Sequence, residues 1–210
     1  MTKNIVITVD GPSASGKGTI CSLLSKHFNI PHLNTGGLYR GLAYKASQLN
    51  LDLHNEAEMT ELAKTLTEKD INNPIIFTEE VAQKASIVAK IQSVRDVLFQ
   101  YQVDFAKQDG GAILDGRDIG TVVCPNADYK FFVIASPEER ANRRFKEMKE
   151  KGQDVNYDEI LNQIKNRDEQ DKNRTVSPFK QAEDAILIDT TGKTIQEVFD
   201  EVLSHINIKD

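Results

Sequence analysis

The sequence has 210 residues, which suits one globular domain with a small insertion and leaves little room for two independent cores. Lys and Arg number 26 against 32 Asp and Glu, so the formal net charge is −6. This acidic balance argues against a general binder of nucleic acids or of anionic membranes. No apolar run approaches the ~18 residues of a membrane-spanning helix, and the first residues do not resemble a signal peptide.

The two cysteines, Cys21 and Cys124, lie far apart and form no C-x-x-C pair. We therefore expect no disulfide framework, no thiolate metal site and a reducing, cytoplasmic location. The four histidines are scattered without a metal-binding spacing, and each is expected to be an ordinary surface or half-buried ring.

Short β-branched or apolar runs predict strands, and apolar residues three or four positions apart predict helices. Strands separated by helices indicate a parallel sheet with crossover helices. Residues 51–89 lack a strong period and are interpreted as an insertion. The predicted elements are, in chain order, a strand at 4–10, a helix at 16–28, an extended piece at 32–34, a helix through Leu38, Leu42 and Leu49, a helix at 93–107, strands at 112–115 and 129–135, a charged helical stretch from Pro137 to about 173 with a break at Gly152, a strand at 185–189 and a helix at 195–206.

The first predicted strand runs directly into the segment G-P-S-A-S-G-K-G-T at residues 11–19, where a helix begins. The G-x-x-x-x-G-K spacing in this context indicates a phosphate-binding loop, or P-loop, because its glycines let backbone N–H groups point at phosphate oxygens. The helix N-terminus and the lysine add positive charge. Gly18 stands where Ser or Thr usually holds Mg²⁺, a form seen in nucleoside monophosphate kinases. The residues expected to bind the nucleotide are Gly11, Pro12, Ser13, Ala14, Ser15, Gly16, Lys17, Gly18 and Thr19.

A second chemical feature follows the predicted strand at 112–115, where the segment D-G-R-D begins with Asp115. Ligands of open α/β sheets bind at the carboxyl ends of strands, so Asp115 is interpreted as a residue that holds a Mg²⁺-bound water. Arginines are concentrated in the charged stretch, which carries a basic excess in an otherwise acidic chain. Arg140, Arg143 and Arg144 share one predicted helix face, and Arg167, Asp171 and Arg174 share another.

Six blocks of the sequence resemble motifs of the bacterial cytidylate kinases, within the P-loop nucleoside monophosphate kinases. They are V-D-G-P-S-A-S-G-K-G-T, T-G-G-L-Y-R, A-S-x-V-A, V-R, L-D-G-R-D-I-G-T-V-V and R-D-E-Q-D-K-N-R-T-V-S-P, and together they span about residues 5–190. The resemblance implies a three-layer α/β fold of the P-loop kinase type with a five-stranded parallel sheet. It implies a single domain over residues 1–210, with a nucleoside monophosphate-binding insertion at about 36–95 and a helical lid at about 145–175.

The same resemblance implies that the protein transfers the γ-phosphoryl group of ATP to CMP or dCMP, with Mg²⁺, in pyrimidine nucleotide metabolism. Arg40, Arg117 and Arg174 would grip the CMP phosphate, and Thr35 stands where the family has a serine that donates to it. The residues that would read cytosine are Ser86, Arg95 and Asp118, and those that would hold the sugar are Arg167 and Asp171. Asn34 stands where the family usually has Asp.

The acceptor phosphate is already anionic at neutral pH, so the reaction needs no general base. The site must instead align two polyanions and neutralise charge, for which Lys17, Mg²⁺, Arg117, Arg143 and Arg174 are suited. We expect a monomer whose lid is mobile without ligand. Two alternatives stay open: a kinase for UMP, AMP or a deoxynucleotide, and a regulatory GTPase, although neither N-K-x-D nor T-K-x-D is present.

Overall fold

The computed structural model describes residues 4–173 and 179–207. The chain divides into two compact units. The first, here called the sheet unit, consists of Met1–His32 and Gln108–Asp210, and the second, the helical unit, is Leu33–Lys107. The insertion expected at about 36–95 falls inside the helical unit.

A five-stranded sheet has the order β2-β3-β1-β4-β5, which confirms the predicted α/β fold. The pairs β1–β3, β1–β4 and β4–β5 are parallel. In the register of the central pair, Val9 lies opposite Asp115 and Asp10 lies opposite Gly116. The P-loop and the D-G-R-D segment therefore leave the sheet at the same level and at the same edge. The strands are β1 (Val6–Asp10), β2 (His32–Asn34), β3 (Ala112–Gly116), β4 (Tyr129–Ile134) and β5 (Ile186–Asp189).

The predicted helices correspond to α1, α2, α6, α7, α8 and α9, whereas α3, α4 and α5 lie in the stretch that was interpreted only as an insertion. The end of α2 needs a correction. Leu49 was predicted to belong to that helix, but the helix ends one residue earlier and the Leu49 side chain is 56% exposed. The helices are α1 (Lys17–Phe28), α2 (Thr35–Gln48), α3 (Glu56–Ala63), α4 (Glu68–Ile71), α5 (Glu79–Val88), α6 (Gln92–Ala106), α7 (Pro137–Glu150), α8 (Tyr157–Lys172) and α9 (Ile195–Ser204).

The main hydrophobic core lies between the sheet and helices α1 and α9. Ile7, Val9 and Phe131 from the sheet are almost completely buried, and they pack with Leu24 of α1 and Val202 of α9. The β-branched and aromatic residues of β1 and β4 favour an extended backbone, so burial and local preference agree here.

The helical unit is built around α2, which packs against α3, α4 and α5. Its buried side chains include Leu38, Leu42, Met59 and Val88. Within the described part of this unit, residues 51–89 contain helices and no strand, as the weak period of the sequence allows. Polar side chains cap several of these helix starts, among them that of α2, where the Asn34 side chain accepts the N–H of Gly37.

Helices α7 and α8 pack against each other through a small hydrophobic cluster of their own. Ala141, Ile160 and Ile164 form its buried centre, and Phe145 and Tyr157 pack around it. Ser136 caps α7 ahead of Pro137, and Asn156 caps α8. None of the helices in the described part of the chain has the length and hydropathy required to span a bilayer.

Candidate active site

The P-loop connects β1 to α1 through backbone conformations that side-chain-bearing residues rarely adopt. Gly16, immediately before the helix, has a φ of 89°, and Ala14 has a φ of 60°. At Gly11 a Cβ atom would lie 2.2 Å from the carbonyl oxygen of Val133, so only glycine fits beside the backbone of β4. The Ser15 side chain is buried, and its hydroxyl has no hydrogen-bond partner among the described residues. The conformation of the loop is thus set by its own backbone and by its close approach to β4.

Positive charge is concentrated at the start of α1. The low-dielectric surroundings of the Lys17 ammonium, and next the charge of Arg117, lower the pKa of Lys17 to about 7. Burial and the same Arg117 lower the pKa of Arg167 to about 10, with a smaller contribution from Arg144. The charged forms of these side chains therefore destabilise one another, as expected in a site that binds an anion.

Asp115 lies beside this cluster, buried near the end of β3. Its Oδ2 atom is 3.1 Å from the Nε2 atom of His32, within hydrogen-bond distance, and its side chain is 2% exposed. The charge of Asp115 opposes the drop in the pKa of Lys17. Burial raises the pKa of the neighbouring Cys21 thiol well above its ordinary value, and the charge of Asp115 raises it further.

The segment after β3 is anchored to the end of β1 by Asp10. The carboxylate of Asp10 accepts the N–H of Ile119 at 2.9 Å and that of Gly120 at 2.8 Å. These residues begin one turn of π-helix at Ile119–Val123, a rare geometry that is often found at functional sites. Burial raises the pKa of Asp10 to about 6, against the lowering effect of the two hydrogen bonds. Asp10 therefore fixes the segment that immediately follows Arg117 and Asp118.

Arg117 connects that segment to α8. Its Nε atom donates to the Oδ2 of Asp171 at 2.8 Å, and its Nη1 atom donates to the carbonyl of Gly116 at 3.3 Å. The guanidinium carbon lies 5.9 Å from the centre of the Phe179 ring. The structure thus brings together Arg117, Asp171 and, through their charges, Arg167, as three of the residues expected to bind substrate.

The arginines of α7 have unequal surroundings. Arg143 donates to the side chain and carbonyl of Thr190, at 2.9 and 2.6 Å, and its Nε atom donates to Glu139. Arg140 is 2% exposed and forms a two-pronged ion pair with Asp168 of α8. Arg144 carries no role among the sequence-based assignments, yet its charge acts on Arg167, and burial lowers its own pKa.

In the helical unit, Arg40 and Thr35 both belong to α2. The Nη1 atom of Arg40 donates to the carbonyls of Ile76 and Thr78, at 3.0 and 3.1 Å, and the guanidinium lies over the half-exposed ring of Phe77. Thr35 is buried at the first turn of the helix. The adjacent Asn34 caps α2, a task that an asparagine performs as well as an aspartate.

The two base-reading residues expected in the helical unit lie on α5 and α6. Ser86 is exposed, and its hydroxyl donates to the carbonyl of Gln83 at 2.6 Å. Arg95 is 9% exposed, with its guanidinium carbon 5.9 Å from the centre of the Tyr39 ring. Arg174, expected to contact the CMP phosphate, lies outside the described residues, as does the end of the lid at 174–175.

A glycine-rich loop at the end of the central strand, followed by a helix that starts with Lys17 and is surrounded by arginines, places the chain among P-loop phosphotransferases. The family described as cytidylate kinase matches residues 7–208 in a comparison with protein-family profiles. The chain belongs to the cytidylate kinase family. It is an ATP-dependent nucleoside monophosphate kinase, and the family's reaction is phosphorylation of CMP and dCMP by ATP.

Similar proteins support this assignment over nearly the whole length. A cytidylate kinase of Mannheimia succiniciproducens is 48% identical, covering 100% of this chain and 99% of its own. One from Clostridioides difficile is 44% identical, covering 98% and 99%. A crystal structure of an uncharacterized protein from Eubacterium ventriosum has a TM-score of 0.57 at 14% identity, covering 98% of this chain and 100% of its own, and this likeness concerns the fold alone.

Proposed function

We propose that this kinase holds Mg·ATP on the P-loop and CMP or dCMP on the arginines assigned by the family resemblance, and that it transfers the γ-phosphoryl group by alignment and charge neutralisation. The observation that carries the proposal is the group of mutually repelling cations at Lys17, Arg117 and Arg167. Two nucleotides bring several negative charges into that group, so binding relieves the repulsion that the free protein contains.

The catalytic work falls to residues that do not exchange protons with the substrate. The second pKa of a phosphate monoester is about 6, so the attacking oxygen of CMP is already ionised at neutral pH. Lys17 and Arg117 then stabilise the charge on the transferring group, and loss of one such arginine costs on the order of 10³ in rate. Arg143 and Arg174 are proposed to add to this from the lid.

The residues at the end of β3 fit a Mg²⁺ ion that is held through water. Mg²⁺ prefers oxygen ligands and keeps several waters when it is bound by one or two carboxylates and substrate phosphates. Asp115 offers a buried carboxylate beside Lys17, so it would hold a Mg²⁺-bound water. The ion would supply charge neutralisation on the phosphates of ATP.

Selection of the acceptor is assigned to contacts with the phosphate, the sugar and the base. Arg40, Thr35, Arg117 and Arg174 are proposed to bind the phosphate, and Arg167 with Asp171 the sugar. Ser86, Arg95 and Asp118 are proposed to read the cytosine edge. A base with the wrong donors leaves these polar groups unpaired, which gives strong discrimination.

The test is ADP production from Mg·ATP with CMP, dCMP, UMP, AMP and GMP offered separately. We expect CMP and dCMP to react far faster than the others. Arg95→Gln should lower kcat/KM for CMP by at least about 100-fold and reduce the preference over UMP. The matched control, Lys90→Gln, changes an exposed residue near the start of α6. It should leave unchanged both kcat/KM for CMP and the preference for CMP over UMP.

Equal turnover of all acceptors, or an Arg95→Gln enzyme with unchanged preference, would remove the base-reading assignment. Arg95 is nearly buried, so thermal unfolding of the variant must match that of the wild type for the comparison to hold. We further propose that the enzyme acts as a monomer in the cytoplasm, which sedimentation of the purified protein and fractionation of cells would check.

A further inference from the structure

Three residues of the sheet unit converge beside the P-loop in an arrangement suited to a metal ion. Cys21 belongs to α1, His32 opens β2 and Asp115 lies in β3. A sulfur, a ring nitrogen and a carboxylate oxygen from these residues all lie within 4.8 Å of one another. Strands β2 and β3 are neighbours in the sheet, and α1 packs on β3, so the fold itself brings the three side chains together.

We propose that Cys21, His32 and Asp115 bind one Zn²⁺ ion. A thiolate, an imidazole and a carboxylate form a mixed donor set that suits zinc and does not suit Mg²⁺, which prefers oxygen alone. The sequence led us to expect no thiolate or histidine metal site, because the three ligands come from three separate elements and share no short spacing.

The three ligand atoms lie within 4.8 Å of one another, so the longest separation must shorten by up to about 1 Å to accept the ion. Zinc lies about 2.0–2.3 Å from such ligands, so the ligand atoms of a tetrahedral site are roughly 3.3–3.7 Å apart. The Nε2 of His32 and the Oδ2 of Asp115 are already 3.1 Å apart. An ion inserted between them replaces their hydrogen bond and separates them by a few tenths of an ångström. The fourth position is left to water.

Burial and charge define what kind of site this is. Cys21 is 0% exposed and Asp115 is 2% exposed, so a thiolate and a carboxylate would neutralise the two charges of the ion away from water. The thiol proton leaves to solvent as the sulfur binds. His32 is 15% exposed and provides the approach from solvent. Lys17 lies one helical turn before Cys21, so its positive charge would repel a cation bound at this site.

Occupancy has a consequence for the kinase reaction. Asp115 is the residue proposed to hold the Mg²⁺-bound water. When its carboxylate binds Zn²⁺ it cannot hold that water, so Zn²⁺ at this site should inhibit phosphoryl transfer. This consequence rests on the proposed function of Asp115, whereas binding of the ion does not.

The binding test uses the full chain after removal of metal, titrated with Zn²⁺ by calorimetry and with Co²⁺ by absorption. We expect one ion per chain and a sulfur-to-cobalt charge-transfer band. Cys21→Ser and His32→Gln should each weaken Zn²⁺ binding by at least about tenfold, and Cys21→Ser should abolish the band. Glutamine at 32 keeps an N–H donor for Asp115, so the second variant remains informative if the first folds poorly.

The matched controls are Cys124→Ser, at a buried cysteine outside the cluster, and His54→Gln, at an exposed histidine. Both should bind Zn²⁺ as the wild type does. Absence of binding by the wild type, or binding that survives both Cys21→Ser and His32→Gln, would overturn the site. Binding at the site without loss of CMP phosphorylation would leave the site standing and remove the proposed role of Asp115.

Discussion

Asp10, the last residue of β1, accepts the backbone N–H of Gly120 at 2.8 Å although 110 positions separate the two residues. The approach is close, because a Cβ atom at Gly120 would lie 3.4 Å from the same carboxylate oxygen and 3.1 Å from the hydroxyl of Thr8. A buried carboxylate thus fixes the start of the segment after Arg117 and Asp118, and its ionised form is stabilised by two backbone N–H groups and, to a smaller extent, by the charge of Arg117.

Replacement of Asp10 by Asn should change how stability depends on pH. Burial raises the pKa of Asp10 to about 6 from 3.8. At a pH between these two values, folding is therefore accompanied by the uptake of a proton at Asp10. The stability that this proton gives is present below about pH 4 and is lost as the pH rises through about 6. The free energy of unfolding of the wild type, relative to Asp10→Asn, should therefore fall by at most about 3 kcal/mol over that interval.

Urea unfolding of both proteins across this interval measures the difference. Asp109→Asn, at an exposed position, is the matched control and should follow the wild type. If the curves for the wild type and Asp10→Asn run parallel at every pH, Asp10 does not titrate in this range and its surroundings are more polar than the structure indicates.

ATP binding should be accompanied by proton uptake at Lys17. The free protein holds the pKa of Lys17 at about 7, and the phosphates of ATP raise it again. At about pH 8.5 the free lysine is mostly neutral and the bound lysine is charged, so binding takes up close to one proton. Calorimetry of Mg·ATP binding in buffers of different ionisation enthalpy measures this number.

Lys17→Met should show no uptake and much weaker ATP binding. Lys193→Met is the matched control, since Lys193 also follows a glycine but pairs with Glu201 on the surface. Uptake that persists in Lys17→Met would assign the proton to another group.

The ion pair between Arg140 and Asp168 should stabilise the packing of α8 on α7. Arg140 also donates to the carbonyls of Ser13 and Ala135, so it joins the P-loop, the end of β4 and α8. Asp168→Ala leaves a buried guanidinium without its carboxylate. Because Asp168 is 30% exposed, we expect a loss of about 2 kcal/mol rather than the larger cost of a fully buried pair.

Thermal and urea unfolding measure this loss, and Glu169→Ala, an exposed neighbour on α8, should be close to neutral. The prediction fails if the two variants unfold alike.

Without ligand, α7 and α8 should exchange their amide protons faster than β1 and β4. Their cluster around Ala141, Ile160 and Ile164 is small and separate from the main core, so local opening exposes little apolar surface. Hydrogen exchange followed by mass spectrometry should show low protection in these helices, which rises when Mg·ATP and CMP are added together. Equal protection of the helices and of the central strands would contradict the expectation of a mobile lid.

The sequence was sufficient to predict the elements with strong local patterns. The P-loop was identified because the spacing of its glycines and lysine is specific to phosphate binding. Strand β4 was identified because a short run of β-branched and aromatic residues favours a buried strand. The end of α2 was misplaced at Leu49, because an apolar residue at helical spacing was assumed to be buried.

Features that depend on contacts between segments distant in the sequence could not be predicted from local patterns. Nothing local distinguishes Asp10 from a turn residue, and its role appears only when β1 and β3 are paired. Likewise, Cys21 and His32 are unremarkable in sequence, and only the packing of α1 and β2 around β3 brings them to Asp115. The sequence likewise does not distinguish Arg144 from the other arginines of α7, because its effect on the pKa of Arg167 depends on the packing of α7 against α8.

The position of β1 between β3 and β4 also determines the order in which the chain can fold during synthesis. The first strand made has no partner until residues 112–116 have left the ribosome, and its second side stays open until residues 129–132 follow. The helical unit, by contrast, is a continuous stretch that ends before either partner appears. The nascent chain therefore carries its phosphate-binding segment unformed while the middle of the protein is completed, which is the interval in which chaperones would protect it.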